Sequence, residues 1–222
     1  MCGFPPEHQV PGIAGRTTQA GSLPDSASKS ALRRHLRRMR SALTPRQLAS
    51  AQRALARHLL SDRAFQKARR IGLYWPVSGE ISPLGVLGHP RTRHKIFYFP
   101  VLAGPHARML RFAPMTPAGN WASNRLGIPE PRAGVRAQKS WRHLDLLIVP
   151  LVAFDGSGGR LGMGGGFYDR SLAARGHRRH WRKPRLVGVG HAFQELPGLP
   201  REAWDVALDA VCTEKGWRRW KL

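Results

Sequence analysis

The sequence predicts an α/β fold: one domain over residues 28–222 that opens with a pair of helices, preceded by a disordered arm over 1–27. Three observations carry this. Short apolar runs rich in β-branched and aromatic residues recur at 71–75, 95–101, 109–113, 146–154, 186–189 and 209–213. Segments with a helical period or a helix-start signal stand between several of them, which is the alternation of a sheet covered by helices. A length of 222 residues with 41% hydrophobic content is enough for one domain with a sizeable core.

Residues 1–27 are rich in Pro, Gly, Ser and Thr and show no period, the composition of a chain that cannot bury enough apolar surface to order. From Ser28, a capping residue, Ala31, Leu32, Leu36, Met39 and Leu43 fall at three- and four-residue spacings with arginines on the other faces. Thr44-Pro45-Arg46-Gln47 has the form of a capping box with proline at the first helical position, opening a second helix to about residue 60. Residues 71–75 read as a strand that exits into a turn ending in Glu80, and Ser82-Pro83 starts a helix to about residue 88. The runs 95–101 and 109–113 are two further strands, and 114–140 is rich in loops, with Trp121 and Trp141 as packing residues.

The central stretch is LDLLIVPLVAFDGSGGRLGMGGGFYDRS, residues 144–171. The apolar run 146–154 reads as a buried strand, FYDRSLAARG as a helix stopped by Gly176, and seven glycines lie between them. Glycines let backbone N–H groups approach a phosphate, and a helix N-terminus adds its dipole. Arg160 and Arg170 can neutralise phosphate oxygens, and Asp169 can hold an accompanying magnesium ion. The order of residues is neither GxxxxGK[ST] nor GxGxxG, so spacing alone reaches a phosphate-binding turn and no further. Residues 175–185 form a basic loop whose His177 and His180 lack metal-ligand company, and Trp181 is a packing residue. A strand at 186–189, a loop, a helical turn opened by Arg201, and a last strand at 209–213 complete the chain.

Composition excludes several classes. No apolar run approaches membrane-spanning length, and Cys2 and Cys212 are too few for a disulfide framework, reading as free thiols of a reducing cytoplasm. The net charge of +24 fits either a polyanionic partner or an arginine-rich codon bias. Thirteen basic residues face the single acid Asp62 between Lys29 and Arg70, but no aromatic residues interleave for base stacking, and a solvated basic face is the expectation.

RLGMGGGFYDR, preceded by PLVAFD, resembles the signature of the 5-formyltetrahydrofolate cyclo-ligase (methenyltetrahydrofolate synthetase) family. KSALR at 29–33, IGLYWPVSGEI at 71–81, RLGIPEP at 125–131 and LPREAWDVALDAVCTEKG at 199–216 resemble the family in the same order. The resemblance implies a three-layer α/β/α sandwich around a central, mostly parallel sheet. It implies ATP- and Mg²⁺-dependent cyclisation of 5-formyltetrahydrofolate to 5,10-methenyltetrahydrofolate with release of ADP and phosphate; the free thiols and the lack of a membrane-length apolar run add the expectation of a cytoplasmic location without a membrane or obligate protein partner. It assigns ATP to Lys29, Arg33, Arg160, Leu161, Gly162, Met163, Gly164, Gly165, Gly166, Phe167 and Tyr168, with Arg160 also catalytic. It assigns the folate to Trp75, Glu80 and the segment Met163, Gly164, Gly165, Gly166 and Phe167, and Mg²⁺ to Asp169 and Asp205. Relatives that carry Lys where Gly165 stands and Tyr where Phe167 stands imply that neither a lysine nor a hydroxyl is essential at those positions here. Two readings stand beside this one: an ATP-dependent enzyme of the same fold with another substrate, and a basic nucleic-acid-binding protein on the same scaffold.

Overall fold

The computed structural model describes residues 28–104, 106–115, 120–176 and 183–220; the expected arm over 1–27, His177, His180 and Trp181 lie outside them. Helix α1 (Lys29–Ser41) is capped by Ser28, whose hydroxyl accepts from the Ala31 N–H at 3.3 Å. Helix α2 (Pro45–Ser61) opens with the expected capping box: Thr44 accepts from the Gln47 N–H, and Gln47 Oε1 accepts from the Thr44 N–H at 2.9 Å. A third helix, α3 (Arg63–Lys67), follows at once because Asp62 caps it through the Phe65 N–H. Lys95 closes its other end, donating from Nζ to the carbonyls of Phe65, Gln66 and Ala68 at 2.9, 2.9 and 2.6 Å, where a cation complements the helix dipole.

The strands are β1 (Arg70–Gly72), β2 (Ile96–Leu102), β3 (Leu110–Pro114), β4 (Trp121–Ser123), β5 (Pro129–Pro131), β6 (Leu146–Pro150), β7 (Ala153–Asp155), β8 (Arg160–Leu161), β9 (Arg185–Val189), β10 (Glu195–Leu196), β11 (Ala210–Thr213) and β12 (Gly216–Arg219), with helix α4 (Phe167–Gly176) after β8. Seven of them form one sheet in the order β12-β11-β9-β6-β1-β2-β3. Its five central strands are parallel and only the edges β12 and β3 are antiparallel. Alternate residues of β6 feed different cores: Leu146 and Ile148 join Leu55, Leu59 and Phe65 of the α2–α3 side, while Leu147 and Val149 join Leu172 of α4 on the other. A sheet buried on both faces between helices is the expected sandwich.

The structure corrects or refines several sequence expectations. The run 146–154 is two strands: β6 stops at Pro150, and the chain crosses to a small sheet β10-β7-β8, where the Val152 N–H donates to the Leu161 carbonyl at 2.7 Å. The helix expected over 82–88 is a single 3₁₀ turn, Pro83–Val86, closed by a Leu87 N–H to Leu84 carbonyl bond, since Gly85 and Gly88 favour no longer helix. The stretch 114–140 holds the β4–β5 ribbon, where prolines at both ends of β5 hide the strand pattern. The turn expected after Arg201 is a single one, closed by the Asp205 N–H to the Glu202 carbonyl at 3.0 Å, and Arg201 itself donates from Nη2 to Asp155 Oδ1 at 3.0 Å. The strand at 209–213 is followed by β12, a half-exposed edge reached through Gly216 at φ +121°.

Candidate active site at the glycine segment

The parallel strands β1, β6 and β9 leave the sheet on the same side, the position at which open α/β sheets bind ligands. Three connections gather there: the turn 77–80 after β1, the segment 156–166 after β6 and β7, and His191 after β9. Helix α1 is laid across them because Leu32 and Leu36 pack with Val152, Ala153 and Leu161 in a small separate core. Leu161 therefore turns its side chain inward, away from the site, and its carbonyl is taken by Val152.

The glycines divide into two groups with different tasks. Gly156, Gly158 and Gly159 turn β7 into β8, where Asp155 Oδ1 accepts from the N–H groups of Ser157 and Gly159 at 2.9 and 2.8 Å. A Cβ on Gly158, at φ +80°, would lie 2.9 Å from the Leu208 carbonyl oxygen. Burial alone would raise the Asp155 carboxyl, but these bonds and Arg201 hold it below the usual carboxylate range. This hairpin sets the register of Arg160. Gly162, Gly164, Gly165 and Gly166 form the exposed segment that enters α4, with Gly164 and Gly166 at φ +103° and +63°. The single strand–turn–helix expected from the sequence is thus interrupted by a hairpin.

Lys29, Arg33, Arg37 and Arg40 recur at intervals of four, four and three residues and line the face of α1 that meets this segment. Arg33 Nε donates to the Gly162 carbonyl at 2.8 Å, and Arg37 Nη2 to the Met163 carbonyl at 3.0 Å and its sulfur at 3.5 Å. Lys29 reaches Glu202 and Asp205, both at 3.4 Å. The Arg160 side chain is buried, its Nη2 paired with Asp169 Oδ1 and its Nη1 without a hydrogen-bond partner among the described residues. Arg170 spends its donors on scaffolding instead, bonding the Gly165 carbonyl at 2.6 Å and the Arg108 carbonyl at 3.0 Å and lying over the Phe167 ring.

Glu80 is buried at the end of a turn whose Ser78 and Gly79 both have positive φ, +50° and +73°. Its Oε2 accepts from the Val77 N–H at 3.1 Å, and its Oε1 lies 3.7 Å from Arg40 Nη1. Burial pushes the carboxyl above its ordinary value, against the pull of the Val77 N–H and of Arg40 and Arg37. The same burial, reinforced by the Glu80 charge, raises the hydroxyls of Tyr74 and Tyr168. Trp75, half-buried, packs at 5.2 Å from Trp121 and 6.5 Å from Phe99, an aromatic wall beside the turn. Trp141 is buried in the second core, as expected of a packing residue.

Asp169 and Asp205 are each about a quarter exposed, and each leaves one oxygen free of hydrogen bonds among the described residues. Among the described residues no cluster of three or more His, Cys, Asp or Glu side chains converges. A hard cation that arrives with its own phosphate and water ligands needs only one or two carboxylates, and Asp169 and Asp205 each offer one such oxygen. Arg37 and Arg40 escaped the sequence reading. The signal that could have found them is the continuation of the Lys29/Arg33 spacing along one helical face.

Among the described residues no helix is long and apolar enough to cross a membrane. The model of the 5-formyltetrahydrofolate cyclo-ligase family matches residues 25–214. The 5-formyltetrahydrofolate cyclo-ligase of Haemophilus influenzae is 37% identical over 182 residues, 80% of this chain and 92% of that protein. That of Escherichia coli is 37% identical over 185 residues, 82% of this chain and 98% of the relative. The structure of Aquifex aeolicus 5,10-methenyltetrahydrofolate synthetase superposes with a TM-score of 0.71 at 32% identity, covering 86% of this chain and 92% of the other. These matches span the helices, the sheet and the glycine segment together, and the chain belongs to the 5-formyltetrahydrofolate cyclo-ligase family.

Proposed function

We infer that the protein converts 5-formyltetrahydrofolate to 5,10-methenyltetrahydrofolate at the expense of ATP, in the cytoplasm, where folates and ATP meet. The observation that carries this is the cationic face of α1, which meets the glycine segment through Arg33 and Arg37 and ends with Arg40 beside buried Glu80. A formamide oxygen is a poor leaving group. Its attack on the γ-phosphorus breaks the bond to ADP and turns the oxygen into a phosphate ester. The folate N10 then attacks the formyl carbon, phosphate leaves with the C–O bond electrons, and N10 gives up its proton as the methenyl bridge forms.

Such a reaction asks the protein to position two substrates and to neutralise moving charge. Lys29, Arg33 and the unspent Nη1 of Arg160 are suited to the phosphates, with the N–H groups of Gly162 to Tyr168 around them. Mg²⁺, held by Asp169 and Asp205, would offset phosphate charge when bound. Trp75 and Glu80 are suited to the folate ring, the indole by stacking and the carboxylate by accepting N–H donors. The test is the near-UV absorbance of purified protein with 5-formyltetrahydrofolate, Mg²⁺ and ATP. A methenyl signal that requires ATP is the expected result. ATP binding without that signal would favour a different substrate on the same phosphate site.

A further inference from the structure

Arg40 is the one charged side chain among the largest fully buried ones of the described residues. A guanidinium taken from water is costly unless its donors are used. Here Nη2 makes one weak contact, 3.9 Å to Met163 Sδ, and Nε and Nη1 have no hydrogen-bond partner among the described residues. Glu80 Oε1 faces Nη1 at 3.7 Å, close enough for attraction and too far for a hydrogen bond. The turn that carries Glu80 is pressed onto the end of α1, since a Cβ on Gly79 would lie 3.2 Å from the Arg40 carbonyl oxygen. The two opposite charges are therefore fixed side by side, each with hydrogen-bonding capacity unspent. Buried unused donors of this kind call for a third partner.

We propose that Arg40 is a substrate-positioning residue that holds Glu80 as an anion and keeps N–H donors beside it, so that the pair reads a ring edge presenting a carbonyl next to two N–H groups. The inference rests on the cyclo-ligase reading, because the lactam–amidine edge of a pterin has that order: a carbonyl oxygen for Arg40, a ring N–H and an exocyclic amine for Glu80. Bases or amides without that order leave one member of the buried pair unsatisfied, which is where the selectivity originates. Met163, between Gly162 and Gly164, is the side chain that contacts Arg40 from the solvent side, and its displacement opens the pair.

The groups that face Glu80 are Arg40 and Arg37 from α1, Tyr74 from the end of β1, and Tyr168 from α4, with His191 across the Gly79 carbonyl at 3.3 Å. Glu80 accepts two N–H groups only as an anion, so the KM for folate rises as the pH falls through its titration. Loss of the Arg40 charge moves that acid limb to higher pH.

The experiment measures KM for 5-formyltetrahydrofolate and for ATP against pH in the parent, Arg40→Gln, Arg40→Lys and Glu80→Gln. Arg40→Gln is expected to raise the folate KM about ten- to hundredfold, to shift the acid limb upward, and to leave the ATP KM within about twofold. Arg40→Lys restores the position of the limb, and Glu80→Gln abolishes it. An unmoved limb in folded Arg40→Gln overturns the proposal, as does an equal rise in both KM values with a lowered melting temperature. Should Arg40→Gln fail to fold, a limb that survives in Glu80→Gln overturns it instead. A parent protein that forms no methenyl product removes the cyclo-ligase reading, a failure distinct from any of these.

Discussion

Replacing Arg160 by alanine tests the phosphate end of the site. The side chain is 3% exposed, Nη2 is paired with Asp169, and Nη1 is buried with no hydrogen-bond partner among the described residues. A preorganised donor of this kind, aimed where charge develops, is worth about 3–4 kcal/mol, or two to three orders of magnitude in turnover. The cost to stability is smaller. Asp169 is 24% exposed and regains water when its partner is lost, which limits the penalty to about 1 kcal/mol. Arg160→Ala should therefore lower kcat about 100- to 1000-fold, measured by the initial rate of methenyl absorbance, with a nearly unchanged melting temperature. Asp169→Asn on both backgrounds completes a cycle. If Asp169 only orients Arg160, it adds nothing once Arg160 is gone. If it also holds the metal, the losses multiply and the magnesium requirement rises in Asp169→Asn alone. A folded Arg160→Ala protein with kcat within about threefold of the parent would remove Arg160 from the chemistry.

Asp205→Asn should raise the Mg²⁺ concentration at half-maximal rate, since one of the two proposed oxygen ligands is weakened; an unchanged titration would assign Asp205 to Lys29 and Glu202 alone. Asp145 tests the fold. Burial would raise its carboxyl, yet the Arg70 side chain, the Arg70 and Arg69 N–H groups and Lys183 hold it well below the usual range, so its contribution is present above the unfolded value near about pH 4 and is lost as the pH falls from there. Asp145→Asn should flatten that acid loss in a series of melting curves. Lys95→Met leaves three carbonyls at the end of α3 without their donor and should cost about 2–3 kcal/mol by urea unfolding. Deleting residues 1–27 should leave folding and turnover intact, checked by circular dichroism and the same absorbance assay.

Much of the architecture is legible because hydrophobic period and capping chemistry are local. Ser28, Thr44 and Gln47 announce α1 and α2, and those helices begin where the caps stand. Most of the errors share one cause, which is that tertiary partners decide the ends of short elements; the 82–88 helix is instead cut short locally, by Gly85 and Gly88. Pro150, which has no N–H for the ladder, is a local sign that β6 ends, but nothing local in 146–154 says that Val152 answers Leu161 in another sheet. Likewise β4 and β5 exist through each other, and Trp121 serves the wall that holds Trp75. The site divides in the same way. The glycine segment and its acids are visible as a motif, whereas the burial of Arg40 depends on where the turn at Glu80 comes to rest.

A chain of net charge +24 invites attention to its bases, but its acids carry more information. Eleven of the thirteen acids lie among the described residues, and all eleven are engaged. Asp62, Glu130, Asp155, Asp209 and Glu214 accept from backbone N–H groups that fix a cap, a turn or a strand end. Asp145 ties Arg70 to the sheet, and Glu195 pairs with Arg218 across the surface. That leaves Glu80, Asp169, Asp205 and its neighbour Glu202, all of them facing cations of α1 or the glycine hairpin. Where bases exceed acids by so much, most arginines, such as Arg34, Arg38, Arg53 and Arg57, must remain on solvent faces. Carboxylates are the scarce partner, and those at the site pair with Lys29, Arg40 and Arg160. On the proposed reading, phosphate oxygens of ATP would take over Lys29 and the unspent Nη1 of Arg160, and Asp205 would be freed for the metal that comes with the phosphates.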